Sequence, residues 1–226
     1  MEPRVTVFKL GGSLLELPDL AQRLACLLTG PRLARPLLVV GGGAVADLVR
    51  RWDAVHDVGS HVAHDLALSA MALNEQLVAR LLPASRIVRT PTEAVAAWSA
   101  EEVAILNCRG YLQEVEGCGV ADLPHTWDAT SDSIAAWVSL CWPARELVLL
   151  KSVDLPDATT TQQASEAKLV DACFPRFAAR IESVAWINLR GRLVDLVNEA
   201  EEYKTRFVRS EGSFLLNHRG TESTEE

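Results

Sequence analysis

Two glycine clusters in this sequence each follow a short apolar run, and a lysine stands just before the first cluster. Gly11 and Gly12 end the run "VTVFKL", and residues 41–43 (GGG) end the run "PLLVV". Successive glycine amides can point into one concavity, and a following helix adds the positive end of its dipole. Both features favour phosphate. Together with Lys9, they predict phosphate binding at the carboxyl ends of two buried strands, where ligands of open α/β sheets collect.

The stretch "HTWDATSDSIAAW" (125–137) holds two acids at the point where a loop is expected to become a helix. Thr130 or Ser131 can cap that helix, and a carboxylate in the first turn is stabilised by the positive helix end. This explanation suffices for Asp128, which we interpret as structural. It does not suffice for Asp132 once the glycine clusters and Lys9 are set beside it. Asp132 is therefore a candidate organiser of a phosphate site.

Neither glycine cluster matches a common nucleotide fingerprint. The spacing GxxxxGK[ST] of the Walker P-loop is absent from both clusters, and so is the dinucleotide pattern GxGxxG. The two loops must therefore serve phosphates in another architecture.

Continuous apolar runs alternate with helical patterns along the chain. The runs predict strands within residues 5–10, 36–40, 85–90, 103–108, 146–153 and 183–189. Helical spacing predicts helices within 19–28, 44–52, 60–82, 90–98 and 131–142, with Ser60 as one N-cap and Pro91 at the first position of a capped helix. Strands that are apolar throughout indicate a parallel sheet with helices on both faces. We predict an α/β fold in one domain (1–216) with a frayed polar tail (217–226).

Composition narrows the class of protein. The 226 residues carry a net charge of -8, which argues against a general nucleic-acid partner because phosphate backbones need a basic face. The five cysteines are scattered and odd in number, as is usual in a reducing compartment. No apolar run reaches the roughly 20 residues of a membrane span. We therefore predict a cytoplasmic protein without a membrane or nucleic-acid partner.

Four motifs together resemble the amino acid kinase superfamily: "VFKLGGSLL", "VVGGGAVADLVR", "TWDATSDSIAAW" and "LVLLKSVDL". The resemblance spans roughly residues 4 to 190. It implies the carbamate kinase-like fold, a three-layer αβα sandwich with a mainly parallel central sheet. The wording of the third motif and of "SHVAHDLALSAM" is most similar to the archaeal-type aminomethyl-furanmethanol phosphate kinases of methanofuran synthesis. The sequence also resembles that of the molybdenum-storage proteins.

The resemblance implies an ATP-dependent kinase that uses Mg²⁺ and acts on a small phosphate or carboxylate acceptor. Lys9 would contact the transferring phosphoryl group, and Asp132 would orient the lysines and phosphates around it. A later lysine usually completes the phosphate cage; here Lys168 is slightly favoured over Lys151. The ATP phosphates would meet Gly11, Gly12 and Ser13, and the acceptor would meet Gly41, Gly42 and Gly43.

Three side chains are candidates for recognising the acceptor. Asp47 and Arg50 follow the second glycine cluster at helical spacing, and an arginine fork suits a phosphate. An exposed ion pair between the two residues explains the same spacing equally well. His64, on the next helix, is a candidate hydrogen-bond donor to the acceptor, with a core or surface histidine as the alternative. We identify no third ligand to accompany His61 and His64, and we predict no protein-held metal site.

The chain departs from the superfamily pattern after the fifth strand. Many members have a glycine-containing "VDG" segment there, whereas this chain reads "SVDLPDATTTQ", with Leu155 and Pro156 in place of the glycine. The departure supports an alternative, a nucleotide- or oxyanion-binding or storage protein of the same fold without efficient turnover. The helix that begins near Ser60 is apolar in several directions, which predicts at least a homodimer.

Overall fold

A seven-stranded sheet forms the centre of the molecule in the computed structural model, which describes residues 5–28, 35–115, 123–191 and 205–208. The strands are β1 (Thr6–Leu10), β2 (Pro36–Val40), β3 (Ser85–Val88), β4 (Val103–Leu106), β5 (Glu146–Lys151), β6 (Ser183–Asn188) and β7 (Thr205–Arg206). Their order is β3-β4-β2-β1-β5-β6-β7. All neighbours are parallel except β6 and β7. The mainly parallel α/β sheet predicted from the apolar runs is therefore confirmed.

Helices cover both faces of this sheet. They are α1 (Leu20–Leu28), α2 (Gly43–His56), α3 (Ser60–Leu81), α4 (Pro91–Ser99), α5 (Cys108–Val115), α6 (Ser131–Cys141), α7 (Thr161–Glu166) and α8 (Phe174–Ala178), with a 3-10 turn at Gly12–Leu14. One apolar core joins the sheet to α4, α5, α6 and α8, and a second joins it to α1 and the end of α3. The αβα sandwich expected from the resemblance is confirmed.

Several local expectations are corrected by the structure. Ser60 is the first residue of α3 and not its cap, because Gly59 occupies the cap position with a φ of 87°. Thr90 does cap α4: its hydroxyl accepts the amide of Glu93 at 3.2 Å. The run 103–108 was predicted as strand throughout, but Cys108 already begins α5.

The short helices α5, α7 and α8 escaped the sequence patterns because they span only eight, six and five residues. In the part of the chain that the structure describes, no helix is both long and apolar enough to cross a membrane. The tail 217–226 lies outside the described residues, so the domain limits remain a prediction.

Candidate active site

Two lysines reach the same face of the sheet because side chains alternate along a strand. On β1, Lys9 shares its face with Val7, which lies in the core beneath α6. On β5, Lys151 shares the corresponding face with Leu149, and Leu149 is the register partner of Lys9. The strands therefore deliver two cations at the carboxyl edge of the sheet, next to the start of α6.

Asp132 joins these two lysines. It lies in the first turn of α6 and is 5% exposed, and Lys9 is 4% exposed. Lys9 Nζ lies 2.8 Å from Asp132 Oδ1, and Lys151 Nζ lies 2.8 Å from Oδ2. Lys151 also donates to the carbonyl of Leu169 at 2.7 Å. We call Lys9, Asp132 and Lys151 the charge cage; it carries one more positive than negative charge.

The cage perturbs the protonation of its own members. Burial, and after it the charge of the neighbouring Lys9, lower the pKa of Lys151 to about 8, although Asp132 acts in the opposite direction. Burial alone would raise the pKa of Asp132, but the charges of Lys9 and Lys151 outweigh burial and hold this pKa below its usual value. Asp132 is therefore an anion that orients lysines, and its low pKa does not suit a general base.

The two glycine loops touch each other beside the cage. A side chain on Gly12 would overlap the backbone of Gly43, which has a φ of +52°. A Cβ on Gly41 would come within 3.0 Å of Gly12 N, Leu10 O and Ser131 Oγ. Glycine is thus required where the loops after β1 and β2 meet the start of α6.

Asn74, on α3, fixes the second glycine loop through hydrogen bonds to its backbone. It lies on the buried face of α3, and its Nδ2 donates to the carbonyls of Gly41 and Gly42, at 2.8 Å in both cases. Because both carbonyls are held on the α3 side, this loop and the start of α2 keep a fixed position at the end of β2. An unsatisfied helix start leaves amides available to an anion.

The next residue on α3, Glu75, is fully buried and holds a different junction. Its carboxylate accepts from Cys108 N at 3.0 Å and from Asn107 Nδ2 at 3.2 Å, at the start of α5. Burial raises the pKa of Glu75 to about 7, although these hydrogen bonds act in the opposite direction. Burial is the main cause of the raised pKa of the Cys108 thiol, and the charge of Glu75 raises this pKa further.

A cavity of about 180 Å³ opens between the glycine loops, α2, α3 and the loop before α6. Its polar wall includes Ser13, Thr130 and Ser131, and its apolar wall includes Leu68, Met71 and Ile134. The charge cage is not part of this wall, but Ser131, which is, directly precedes Asp132 in α6. Asp47, Arg50 and His64, predicted from sequence as acceptor residues, all line the cavity together with Gly42 and Gly43.

Arg50 lies at the cavity mouth with a side chain that is 48% exposed. It pairs with Asp47 at 2.7 Å, and its guanidinium lies 4.5 Å from the centre of the Trp127 ring. Trp127 is fixed in turn by a 2.8 Å hydrogen bond from its Nε1 to Asp53. The exposed ion pair of the alternative interpretation therefore exists, and it stands at the cavity.

His64 also lines the cavity. Its ring stacks on that of His125 with centroids 4.4 Å apart, and His125 Nδ1 lies 3.2 Å from His61 Nδ1. These contacts join α3 to the loop that carries Trp127. Within residues 5–28, 35–115, 123–191 and 205–208, no group of three or more His, Cys, Asp or Glu side chains is placed to hold a metal ion.

The structure separates the two later lysines. Lys151 takes the place beside Asp132, whereas Lys168 is exposed in the turn after α7, with a φ of 57°. The weak preference for Lys168 therefore does not agree with the geometry. The strand register explains why: β5 ends at Lys151 on the α6 face, whereas Lys168 follows a short helix that leaves the sheet edge.

Three residues that shape this site were not predicted from the sequence: Asn74, Glu75 and Asp171. A signal existed for the first two, because polar residues interrupt the buried stripe of α3. Asp171 accepts from the amide of Ser133 at 3.0 Å and so caps α6, a role that had been assigned to Thr130 or Ser131. Its distance of more than thirty residues along the chain left no local pattern. Asp128 is exposed and contacts Thr126, in keeping with a structural role.

Solved structures share this fold at low sequence identity. The UMP kinase from Ureaplasma parvum is 16% identical with a TM-score of 0.66, covering 92% of this chain and 100% of its own. The uridylate kinase from Archaeoglobus fulgidus is 16% identical with a TM-score of 0.59, over 90% and 98% of the two chains. The UMP kinase from Bacillus anthracis is 12% identical with a TM-score of 0.60, over 89% and 93%. No curated protein sequence matches the chain.

The strongest comparison covers the parts of the chain that build the site. Residues 4–171 match the amino acid kinase family, a stretch that runs from β1 through both glycine loops, α6 and β5 to Asp171. Because the matched region covers well over half of the chain and contains β1 to β5, the glycine junction and the charge cage, this chain belongs to the amino acid kinase family.

Proposed function

We propose that this member of a kinase family is an ATP-dependent phosphotransferase that moves the γ-phosphoryl group to a small phosphate or carboxylate acceptor. The observation that carries the proposal is the buried cage, in which Asp132 bridges Lys9 and Lys151 beside two touching glycine loops. Phosphoryl transfer requires positioning and charge neutralisation more than covalent participation by the protein. A cage with excess positive charge, fixed before substrate arrives, supplies both.

Each member of the cage has a distinct task in this proposal. Lys9 and Lys151 donate to the oxygens of the transferring phosphoryl group, where negative charge must be stabilised in the transition state. Asp132 keeps the two ammonium groups apart and aimed, because each of its oxygens holds one of them at 2.8 Å. No general base is needed if the acceptor is a phosphomonoester or carboxylate, since such groups are ionised near neutral pH.

The ATP phosphates are assigned to the first glycine loop. Gly11, Gly12 and Ser13 follow β1 next to the end of β5, and Ser13 Oγ donates to Ser152 Oγ at 3.2 Å across that gap. Asp132, the carboxylate of the cage, is already occupied by two lysines, and the described residues offer no cluster of metal ligands. Mg²⁺ would therefore be carried mainly by the phosphates, in keeping with its reluctance to lose water.

The acceptor is assigned to the cavity beyond the second glycine loop. Its walls combine Arg50, Gly42 and Gly43 with an apolar surface from Leu68, Met71 and Ile134. This combination suits a compact molecule with one anionic end and an apolar or aromatic body. Furanmethanol phosphates of one-carbon cofactor synthesis have this character, and a nucleoside monophosphate, the substrate named for the structural neighbours, is the natural competitor.

Turnover with a panel of acceptors tests the proposal. ADP formation would be followed with ATP, Mg²⁺ and individual phosphomonoesters, nucleoside monophosphates and amino acids. We expect ADP release well above the acceptor-free rate with at least one phosphomonoester, and loss of that excess in Lys9→Ala. Tight ATP binding by calorimetry without turnover on any acceptor would instead favour the storage or binding protein suggested by the segment 152–162.

We also propose that the chain forms a homodimer through α3. The helix exposes Val62, Leu73 and Leu77 while its other face lines the cavity, and α2 exposes Trp52 and Val55. Large exposed apolar side chains that cluster on two neighbouring helices favour a protein interface. Sedimentation should give a dimer mass that falls to the monomer mass in Leu73→Glu; a wild-type monomer at all concentrations contradicts the proposal.

A further inference from the structure

The helix that carries Asp132 is capped by a residue from a distant part of the chain. Thr130 occupies the cap position of α6, but its side chain makes no capping bond to the helix. The carboxylate of Asp171 takes over this task. Its Oδ2 accepts from Thr130 N at 2.9 Å, from Thr130 Oγ1 at 2.8 Å and from Ser133 N at 3.0 Å. Its Oδ1 accepts from the hydroxyl of Ser133 and, at 3.0 Å, from Phe174 N.

The same short segment also holds Lys151. The carbonyl of Leu169, two residues before Asp171, accepts from Lys151 Nζ at 2.7 Å. The segment is itself braced, because Leu169 N donates to Ala164 O at 2.9 Å and Ser165 Oγ donates to Asp171 O at 3.2 Å. Residues 164–171 therefore touch two members of the charge cage from outside: Lys151 directly, and Asp132 through the first turn of α6.

We propose that Asp171 is a positioning residue for phosphoryl transfer, which fixes the first turn of α6 so that Asp132 bridges Lys9 and Lys151. The inference rests on the proposed function and deepens it. Asp171 contacts neither lysine side chain at hydrogen-bond distance and is not assigned to ATP or to the acceptor. Its effect reaches the phosphates through Ser133 and Thr130, on either side of Asp132, so a shift of this turn moves the bridge itself.

The charge of Asp171 contributes as well as its hydrogen bonds. All five of these partners are donors, an arrangement that suits an ionised carboxylate. The charged groups around Lys151 are Lys9 on β1, Asp132 on α6 and Asp171 itself, and the Trp186 ring of β6 lies 5.3 Å away. Among these groups, both carboxylates raise the pKa of Lys151. Loss of the Asp171 charge should therefore make Lys151 easier to deprotonate.

Asp171→Asn in the full chain tests the proposal, because it keeps the shape of the side chain but removes its charge and part of its accepting capacity. We expect kcat to fall by about 10²-fold, as for other small misplacements of reacting groups. The affinity for an ATP analogue with Mg²⁺, measured by calorimetry, should change by less than about threefold because the glycine loops are untouched. Asp128→Asn is the matched control: this acid lies in the loop before α6, is exposed, and its substitution should leave both values unchanged.

A second readout does not depend on turnover. The ¹³Cε chemical shift of Lys151, assigned by comparison with Lys151→Arg, reports its titration, and the midpoint should move to lower pH in Asp171→Asn only. This shift is expected even if no acceptor is ever found, which separates failure of the inference from failure of the kinase proposal. An unchanged midpoint in a folded Asp171→Asn, or wild-type kcat in it, overturns the positioning role.

Ser133→Ala covers the case in which Asp171→Asn does not fold. It removes one hydroxyl donor from Asp171 at a fully buried position that alanine can fill, and it leaves the net charge unchanged. We expect a several-fold loss of kcat with little change in nucleotide affinity. Full activity of Ser133→Ala beside an unfolded Asp171→Asn would mean that Asp171 serves the fold alone.

Discussion

Two buried carboxylates lie on opposite sides of the glycine junction, and their surroundings differ. Asp132, on the β1–β5 side, is 5% exposed and holds two lysines at 2.8 Å. Glu75, on the α3 side, is fully buried and is held by a backbone amide and an Asn side chain, both of which are uncharged. The pKa of Asp132 lies below its usual value, whereas burial raises the pKa of Glu75 to about 7.

The difference separates a charged region from a scaffold region. A buried anion stays ionised only when cations compensate for lost hydration. The Asp132 side thus keeps three charges in place, which the proposed function assigns to phosphates. The Glu75 side fixes the helices around the cavity with neutral donors, and its acid is close to neutralisation at physiological pH. Chemistry is therefore assigned to the first region, and support of the acceptor cavity to the second.

The largest expected effect comes from removing one cation of the charged region. Lys151→Met should lower kcat by about 10³-fold, because it deletes a donor to developing charge and leaves Asp132 with one partner. Lys168→Met changes a lysine of the same later region, but an exposed one, and should retain activity within about twofold. Steady-state kinetics of both variants decide between them. The reverse order of effects would restore Lys168 as the second lysine of the cage.

The second largest effect concerns the stability of the scaffold region. The folded pKa of Glu75 is about 7 against 4.5 for the unpaired acid, so the folded state binds its proton more tightly than the unfolded state. The free energy of unfolding should therefore fall as pH rises from about 4.5 to about 7, by about 3 kcal/mol from this group. Glu75→Gln should remove this part of the pH dependence in urea unfolding.

The comparison between wild type and Glu75→Gln isolates the group, since the lowered pKa of Asp132 acts with the opposite sign in both proteins. Asp65→Asn is the control, because Asp65 is an exposed acid on the same helix. If the free energy of unfolding depended on pH in the same way in wild type and in Glu75→Gln, Glu75 would not have the raised pKa on which this prediction depends.

The sequence was sufficient for six of the seven strands, because most of them are apolar runs that end in a recognisable way, whereas the two residues of β7 are too few to form a pattern. It also pointed to both glycine loops and to Lys9 and Asp132, since these residues stand in short motifs next to strand ends. It could not decide whether Lys151 or Lys168 is the second lysine of the cage. The pairing of β5 with β1 places Lys151 on the α6 face, and this register is a property of the sheet and not of either segment alone.

The contacts that the sequence could not reveal are those that join distant segments. Asp171 caps α6, whose first residue, Ser131, lies 40 residues earlier in the chain. Asn74 holds a loop more than thirty residues away through two carbonyls. Side-chain to main-chain bonds of this kind depend on how helices pack, so neither spacing nor residue type predicts them.

A smaller effect is expected in the pH dependence of the charged region. Lys151 must be protonated to stabilise phosphoryl charge, and its pKa is lowered to about 8 by burial and by Lys9. The wild-type kcat/KM should therefore fall above pH 8, by roughly tenfold per pH unit. Lys151→Arg keeps its charge at all accessible pH values and should lose this limb, whatever its absolute rate. A limb that persists unchanged in Lys151→Arg belongs to another group.

The smallest effect is expected at the cavity mouth, where the second region meets solvent. Arg50→Ala should raise KM for the acceptor by about tenfold, which is the order expected for one charge-assisted hydrogen bond, and should leave kcat nearly unchanged. Arg51→Ala is a matched control, because Arg51 is exposed on the same helix and does not line the cavity. Since Arg50 is half exposed and already paired with Asp47, its contribution must be smaller than that of a buried lysine. A loss in kcat as large as that of Lys151→Met would place Arg50 in the phosphoryl-transfer step and remove the division between the two regions.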